Sequence, residues 1–295
     1  MMRAIILINA YSGPEHSLYQ SGRLKEELEK RGVAADIRRN NFFAASLGDG
    51  GEVLSRLSGY DFCIYLDKDK YISRLLEKTG MRLFNPHAAV EACDDKMTTA
   101  ICLSDAGIPM PKTLPGLLCY DPSERIADET LDTVAAELGF PLIVKTSYGS
   151  LGKGVAKAED REALRTLAEQ VKCMPHLFQR CISSSYGRDI RAIVIGGKYV
   201  AAMERRSFHD FRSNLEMGGV GSPFEAPEEV RAMCEKAARL LRLDYCGVDV
   251  LFGERGYYLC EVNSNAFFRG FEEVTGINVA RLYTEHILSV MEERT

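Results

Sequence analysis

Asp249, Glu261 and Asn263 offer the clearest opening for chemistry in the chain: two carboxylates and an amide at strand spacing. Asp249 stands in the run Asp244-Tyr-Cys-Gly-Val-Asp-Val-Leu-Phe252, the others in Tyr257-Tyr-Leu-Cys-Glu-Val-Asn263, with Gly-Glu-Arg-Gly between. Side chains alternate across a strand, so Val248, Val250 and Phe252 share a face, as do Tyr258, Cys260 and Val262, and the polar groups are left opposite. A hairpin loop of Glu254, Arg255 and Gly256, with glycine at the left-handed third position, pairs Asp249 directly with Glu261. Opposed carboxylates repel and cost stability unless a cation lies between them. Oxygen donors suit a hard ion, and Mg²⁺ is commonly held by one or two carboxylates with waters and substrate phosphates. Residue types alone leave a solvated acidic sheet face open as well.

Cationic and glycine-rich segments lie upstream. Pro141-Leu-Ile-Val-Lys145 predicts a strand ending in lysine, and Gly149, Gly152 and Gly154 follow within ten residues of it. Bare backbone amides in such a loop can fold over phosphates. It is not a Walker loop, because Gly154 follows Lys153 where Ser or Thr is required. Nor is it a protein-kinase arrangement, since Lys145 precedes the loop and no H-R-D or D-F-G string occurs. Lys96 falls in the first turn of a helix predicted from Asp94 to Ala106, where a cation opposes the helix dipole unless Asp94, Asp95 or a ligand phosphate is near. Arg205, Arg206 and Arg212 crowd the segment from Ala201 to Asn214. Asn9, Tyr11, Asp67 and Lys68 follow predicted strands, at the end where α/β sheets bind ligands, although they also read as ordinary loop residues.

These groups need elements to hold them. Residues 3–8 predict a buried parallel strand followed by a loop from Asn9 to Gly13, then a helix over 17–31 ended by Gly32, and strands at 33–37, 60–66 and 81–84. A helical segment is expected near 52–57 and another between Lys70 and Gly80, giving a small α/β layer with a parallel sheet. Helices at 128–138 and 160–171 bracket the glycine loop. Strands follow at 176–182, 189–195 and 198–204, the last pair turned by Gly196-Gly197. Helices at 227–241 and 278–292 carry apolar stripes at 3.6-residue spacing and are packing elements without chemistry. His209 and His286 have no evident partner and are read as structural.

With 295 residues and 46% hydrophobic content, the chain can bury real cores in more than one domain. A net charge of -5, from 37 basic and 42 acidic residues, argues against general nucleic-acid affinity. Its nine cysteines form no C-x-x-C pair and read as buried free thiols in a reducing compartment. The start lacks a basic region ahead of a long apolar stretch, and no run approaches the ~18 apolar residues of a membrane span. A cytoplasmic protein without membrane or nucleic-acid partners is expected.

Taken in order, these features resemble the ATP-grasp ligases, most closely the RimK-like carboxylate-amine (α-L-glutamate) branch. The strings that carry the resemblance are Asn85-Pro, Asp94-Asp-Lys-Met97, Gly107-Ile-Pro109, Pro141-Leu-Ile-Val-Lys145, Gly149-Ser-Leu-Gly-Lys-Gly-Val155, Gly187-Arg-Asp-Ile-Arg191, Glu204-Arg-Arg206, Phe211-Arg-Ser-Asn214, Gly218-Gly219, Gly247-Val-Asp249, Glu261-Val-Asn263 and Glu273-Val-Thr-Gly276. The resemblance implies a mixed α/β fold: an N-terminal parallel α/β domain over 1–93, then a two-lobed ATP-grasp domain over 94–295 with antiparallel sheets. Its lid would span about 111–181 and its metal-bearing core about 182–295.

It further implies that Lys96, Lys145 and Ser150 contact ATP phosphates, that Gln179, Arg180 and Ile182 line adenine, and that Asp189 accepts from the ribose. Arg212, with Ser213 and Asn214, would face the transferring phosphate, so that Arg212 and Lys145 are the catalytic cations. Asp249, Glu261 and Asn263 would hold Mg²⁺ or Mn²⁺, as two ions. The implied reaction joins an amino acid such as glutamate to a peptide, protein or metabolite acceptor through an acyl phosphate, and homo-oligomers are common in the family. The alternatives are a dipeptide ligase resembling D-alanyl-D-alanine ligase and a nucleotide-binding scaffold without turnover. Two departures stand out: Arg180-Cys181 replaces the Glu-Tyr of many relatives at the adenine segment, and Ser264-Asn-Ala-Phe-Phe-Arg-Gly270 replaces a Ser-Pro-Gly turn. Phe267, Phe268 and Arg269 of that second segment would border the acceptor, Arg269 either pairing a carboxylate or lying on the surface.

Overall fold

The computed structural model describes residues 2–11, 14–150, 152–215 and 218–293. Ser12 and Gly13 of the loop expected after the first strand, and Leu151 of the glycine loop, lie outside them. The chain opens with β1 (Arg3–Ile8), α1 (Pro14–Glu29), β2 (Ala34–Arg39), β3 (Ala45–Leu47), β4 (Val53–Ser55), β5 (Phe62–Leu66), α2 (Lys70–Lys78) and β6 (Arg82–Phe84). Strands β2, β1, β5 and β6 pair in that order, all parallel, as the strand-helix alternation predicts. β1 is a continuous apolar run because both of its faces are covered: Ile6 and Ile8 cluster with Leu24 and Leu28 of α1, Ile5 and Leu7 with Leu76 of α2.

The helical segment expected near 52–57 is instead the second strand of a β3–β4 hairpin. Its turn falls at Gly48-Asp-Gly-Gly51, where Gly48 N donates to Glu52 O at 2.9 Å and Gly51 takes φ +82°. An Asp-Gly turn of this kind sets a hairpin there in place of the expected helix.

α3 (His87–Asp94) and α4 (Lys96–Cys102) replace the single helix expected from Asp94 to Ala106. Asp95 breaks it, because its side chain accepts from Met97 N and Thr98 N and caps α4. The roof layer contains β7 (Thr113–Pro115), α5 (Asp128–Leu138), β8 (Leu142–Thr146), β9 (Val155–Ala158), α6 (Arg161–Val171) and β10 (His176–Arg180), with antiparallel order β7-β10-β8-β9. α5 and α6 cover one face of it through Leu131, Val134, Leu164 and Ala168.

The floor contains β11 (Arg188–Ile195), β12 (Lys198–Arg206), β13 (Val220–Phe224), α7 (Glu228–Leu240), β14 (Tyr245–Phe252), β15 (Tyr257–Asn263), α8 (Arg269–Thr275) and α9 (Val279–Glu292). Its antiparallel sheet runs β13-β12-β11-β14-β15, and one face buries Val248, Val250, Leu259 and Val262 against Val230, Cys234 and Ala237 of α7. Ile193 and Tyr245 of this sheet share a core with Ile6, Leu24, Tyr283 and Ile287, so the parallel layer and the floor pack as one body.

Asn85 pins the seam. Its Oδ1 accepts from Asp244 N at 2.7 Å and Tyr245 N at 3.0 Å, and its Nδ2 donates to Tyr245 O at 2.8 Å and Ser264 O at 2.7 Å. No helix among the described residues is long and apolar enough to cross a membrane. All nine cysteines are free, but only Cys63, Cys93, Cys234 and Cys246 are buried, and Cys102 and Cys173 are exposed. Dispersal among apolar runs had suggested burial throughout.

Candidate functional site

Register builds a ladder of charge across the floor. Asp189 on β11 pairs Arg205 on β12; two residues on, Arg191 pairs Asp249 of β14, which in turn pairs Glu261 of β15. The period of two keeps residues 189 and 191 on one face, so the ladder is continuous. Arg205 donates from Nε to Asp189 Oδ1 at 2.8 Å and from Nη2 to Asp189 Oδ2 at 2.6 Å, and its Nη2 also lies 3.0 Å from Asp249 Oδ1. Arg191 Nη2 donates to Asp249 Oδ2 at 2.9 Å, and its Nε donates to Oδ1. Burial alone would raise the Asp249 pKa, but the Arg191 and Arg205 guanidiniums outweigh it and hold the carboxyl below its ordinary range. Burial likewise opposes the charge on Arg205, and Asp189 and Asp249 more than restore it.

The Asp249–Glu261 pairing follows from two offsetting features. The turn pairs Phe252 with Tyr257, one residue off the register that the three-residue loop implies, and a bulge at Cys260 restores the match. Cys260, expected on the apolar face, is therefore turned into the cavity, with Leu259 in the core in its place. Lys145 Nζ lies 3.7 Å from the Cys260 sulfur and donates to Gln179 Oε1 at 2.8 Å.

Three cations reach the glycine loop, from α4, from the floor and from the loop after β5. Lys96 Nζ donates to Gly149 O at 3.0 Å, Arg212 Nη1 to Gly152 O at 2.9 Å, and Lys68 Nζ to Ser150 Oγ at 3.2 Å. Lys96 therefore pairs neither Asp94, which meets Lys68 at 3.0 Å, nor the capping Asp95; its carboxylate is Glu261, at 3.6 Å. Arg212 is aimed by Asp210, which accepts from its Nε at 3.0 Å and its Nη2 at 2.7 Å and raises its pKa.

One cavity of about 400 Å³ is lined by every residue that the family resemblance assigned to nucleotide or metal: Lys96, Lys145, Ser150, Gln179, Arg180, Ile182, Asp189, Arg212, Ser213, Asn214, Asp249, Glu261 and Asn263. Asn9, Asp67 and Lys68 line it too, whereas Tyr11 is 95% exposed. Arg206 stays outside and pairs Glu204. Arg269 meets a carboxylate of its own chain, Glu273, at 3.0 Å, while Phe268 is fully buried and Phe267 reaches the cavity. The segment after Asn263 had read as a loop, yet from Arg269 it is helix α8. His286 has a partner after all, its Nε2 lying 3.1 Å from Asp244 Oδ1. Sequence reasoning passed over the individual parts of Arg191 and Gln20; only strand register to Asp249 would have found the first.

The donor set fits a hard divalent ion. Asp249 and Glu261 are register partners, the Glu261 side chain is 27% exposed, Asn263 Nδ2 donates to Asp249 Oδ2 at 3.5 Å, and all three residues line the cavity. Among the described residues no group of three or more His, Cys, Asp or Glu side chains is placed to hold a metal. Such a set leaves most of a coordination sphere to water and phosphate oxygens, as Mg²⁺ prefers.

Residues 93–287 match the RimK-like ATP-grasp domain. The chain belongs to that family. It is 33% identical over 231 residues to the beta-citrylglutamate synthase B of Danio rerio, covering 77% of this chain and 56% of that protein. It is 37% identical over 210 residues to the ribosomal protein bS6–L-glutamate ligase of Escherichia fergusonii, covering 70% and 67%. This RimK-like chain thus spans little more than half of the first of these relatives. A D-alanine–D-alanine ligase from Bacillus anthracis superposes on the whole chain with a TM-score of 0.75 at 19% identity, 100% of each chain covered, which speaks to the fold.

Proposed function

We propose that the protein is an ATP- and Mg²⁺-dependent ligase that forms an amide between a carboxylate and an amine, adding an amino acid such as glutamate to a peptide, protein or metabolite acceptor. The observation that carries this reading is the convergence of a roof lysine and glycine loop on an acidic floor in one cavity. Family membership and relatives named as glutamate ligases and synthases support it. Residues 1–93 are read as an N-terminal α/β domain whose loops after Ile8 and Leu66 wall the substrate, 94–295 as the ATP-grasp domain and the cytoplasm as its location.

A carboxylate is too poor an electrophile to meet an amine in water, so its oxygen takes the γ-phosphoryl of ATP to give an acyl phosphate and ADP. Amine attack on the acyl carbon then expels phosphate. Lys145 and Lys96 bind phosphate oxygens, and Arg212 turns its guanidinium to the transferring group as charge builds there. Asp249, Glu261 and Asn263 would hold Mg²⁺, as two ions, which when bound neutralises phosphate charge. Gln179, Arg180 and Ile182 seat the adenine, Asp189 the ribose, and Ser150, Ser213 and Asn214 orient the phosphates. The glycine loop excludes water from the acyl phosphate.

The test is ADP release with Mg²⁺ across a panel of carboxylates and amines. Release that requires one of each is expected; nucleotide binding with no release under any pairing would favour a scaffold.

A further inference from the structure

Thr113, Gln179 and Lys145 share one face of the roof sheet. Register pairs Thr113 of β7 directly with Gln179 of β10, and Lys145 of β8 with Leu177, two residues from Gln179, so the three side chains meet along a diagonal. The opposite face carries Leu114, Val144 and Phe178 into the core covered by α5 and α6. Lys145 and Gln179 are each 8% exposed, and both line the cavity. Lys145 Nζ donates to Gln179 Oε1 at 2.8 Å, Gln179 Nε2 donates to Thr113 Oγ1 at 2.9 Å, and Thr113 Oγ1 donates to Pro111 O at 2.9 Å. The only other partner of the Lys145 ammonium among the described residues is the Cys260 thiol, at 3.7 Å.

This chain of bonds has one direction. A carbonyl only accepts, so Pro111 takes the Thr113 hydroxyl proton and leaves the Thr113 oxygen to accept from the amide N–H. The amide is thereby turned with its oxygen to Lys145; reversed, it would set N–H against an ammonium and oxygen against oxygen. A lysine ends a flexible four-carbon stem, and this anchor fixes where it points. Because the anchor is neutral, the whole positive charge is kept for an anion in the cavity, which a buried ammonium without a countercharge favours. A carboxylate in place of Gln179 would reach as far and cancel that charge.

We propose that Thr113 and the Gln179 amide are positioning residues, a neutral relay from Pro111 O that aims the Lys145 ammonium at a phosphate oxygen of the nucleotide without cancelling its charge. This deepens the ligase reading, in which Lys145 binds phosphate, and rests on it for its role. Binding is followed by calorimetric titration with inorganic tripolyphosphate and with a non-hydrolysable ATP analogue. Thr113→Val is expected to weaken both ligands about tenfold, whereas Thr113→Ser, which restores the hydroxyl, binds as the parent does. Gln179→Glu should weaken both by about tenfold or more, with a Tm within about 5 °C of the parent's, and carries the test should Thr113→Val fail to fold. In a Lys145→Met background, Thr113→Val should weaken the ATP analogue no further, because the relay then has no ammonium to aim. Parental affinity in Thr113→Val or Gln179→Glu overturns the proposal. Equal losses in Thr113→Val and Thr113→Ser, or the same loss in the Lys145→Met background, mark a structural role and also overturn it, as does a parent protein that binds neither ligand. Absence of ADP under every pairing, with this binding pattern intact, would strike the ligase reading alone; ADP release from a protein whose Thr113→Val variant binds both ligands normally would strike the relay alone.

Discussion

At the scale of single residues, the two acids of the floor are chemically alike and physically different. Asp249 is enclosed by Arg191 and Arg205, whereas Glu261 is 27% exposed with Lys96 at 3.6 Å. Glu261→Gln should therefore cost at most about 1 kcal/mol of stability while lowering ADP release by on the order of 100-fold or more. Asp249→Asn should abolish turnover as well but also leave two guanidiniums facing a neutral amide, at about 3–5 kcal/mol, so denaturant titration separates the variants where activity does not. The depressed pKa of Asp249 sets the sign of the acid response. Its contribution is complete above the unfolded carboxylate pKa of about 3.9 and is lost as pH falls through the lower folded value. Asp249→Asn should thus converge on the parent in stability at the acid end, below pH 4, and diverge from it above. Near-parental turnover in Glu261→Gln would remove the metal assignment.

At the scale of elements, what was legible in the sequence was whatever rests on alternation or on a turn signal. The runs ending at Ile8, Leu66 and Lys145 declare themselves as strands, and period-two spacing puts Asp249 opposite the apolar face. The bulge at Cys260 left no such trace, because one extra residue in a ladder has no compositional signature. β3 and β4 were missed because each holds three residues, too few for a period to show, and both are largely exposed, whereas the equally short β6 ends in the buried Leu83-Phe84. α8 was missed because its first turn follows the apolar Phe267-Phe268, with no capping side chain to announce it. The glycine loop was legible as a loop, but the three cations that grip it come from distant parts of the chain. Its conformation can be tested at Gly154, which has φ +73° and where a Cβ would lie 2.2 Å from Thr146 Oγ1. Gly154→Ala should weaken ATP binding by roughly tenfold, about 1.4 kcal/mol, and shift the global Tm by less than about 2 °C. Calorimetric titration with a non-hydrolysable ATP analogue reads the first and thermal unfolding the second.

At the scale of the whole molecule, the seam between the parallel layer and the floor is closed by a shared apolar core and by one amide. Asn85→Ala would strand two backbone N–H groups and two carbonyls in a buried site, at about 2–4 kcal/mol, and should lower the Tm by roughly 5 °C or more. The Asn85-Pro86 dipeptide was visible as a string, whereas its grip on Asp244, Tyr245 and Ser264 needed the fold. That grip has a mechanical outcome. Asn85 ties the start of the strand bearing Asp249 to the residue just after Asn263, so the acidic floor and the wall with Gln20 and Asp67 form a single fixed jaw. On the proposed ligase reading, passage of nucleotide and product would then be left to the roof, and a disulfide between Gly149→Cys and Lys96→Cys would shut both substrates in or out together.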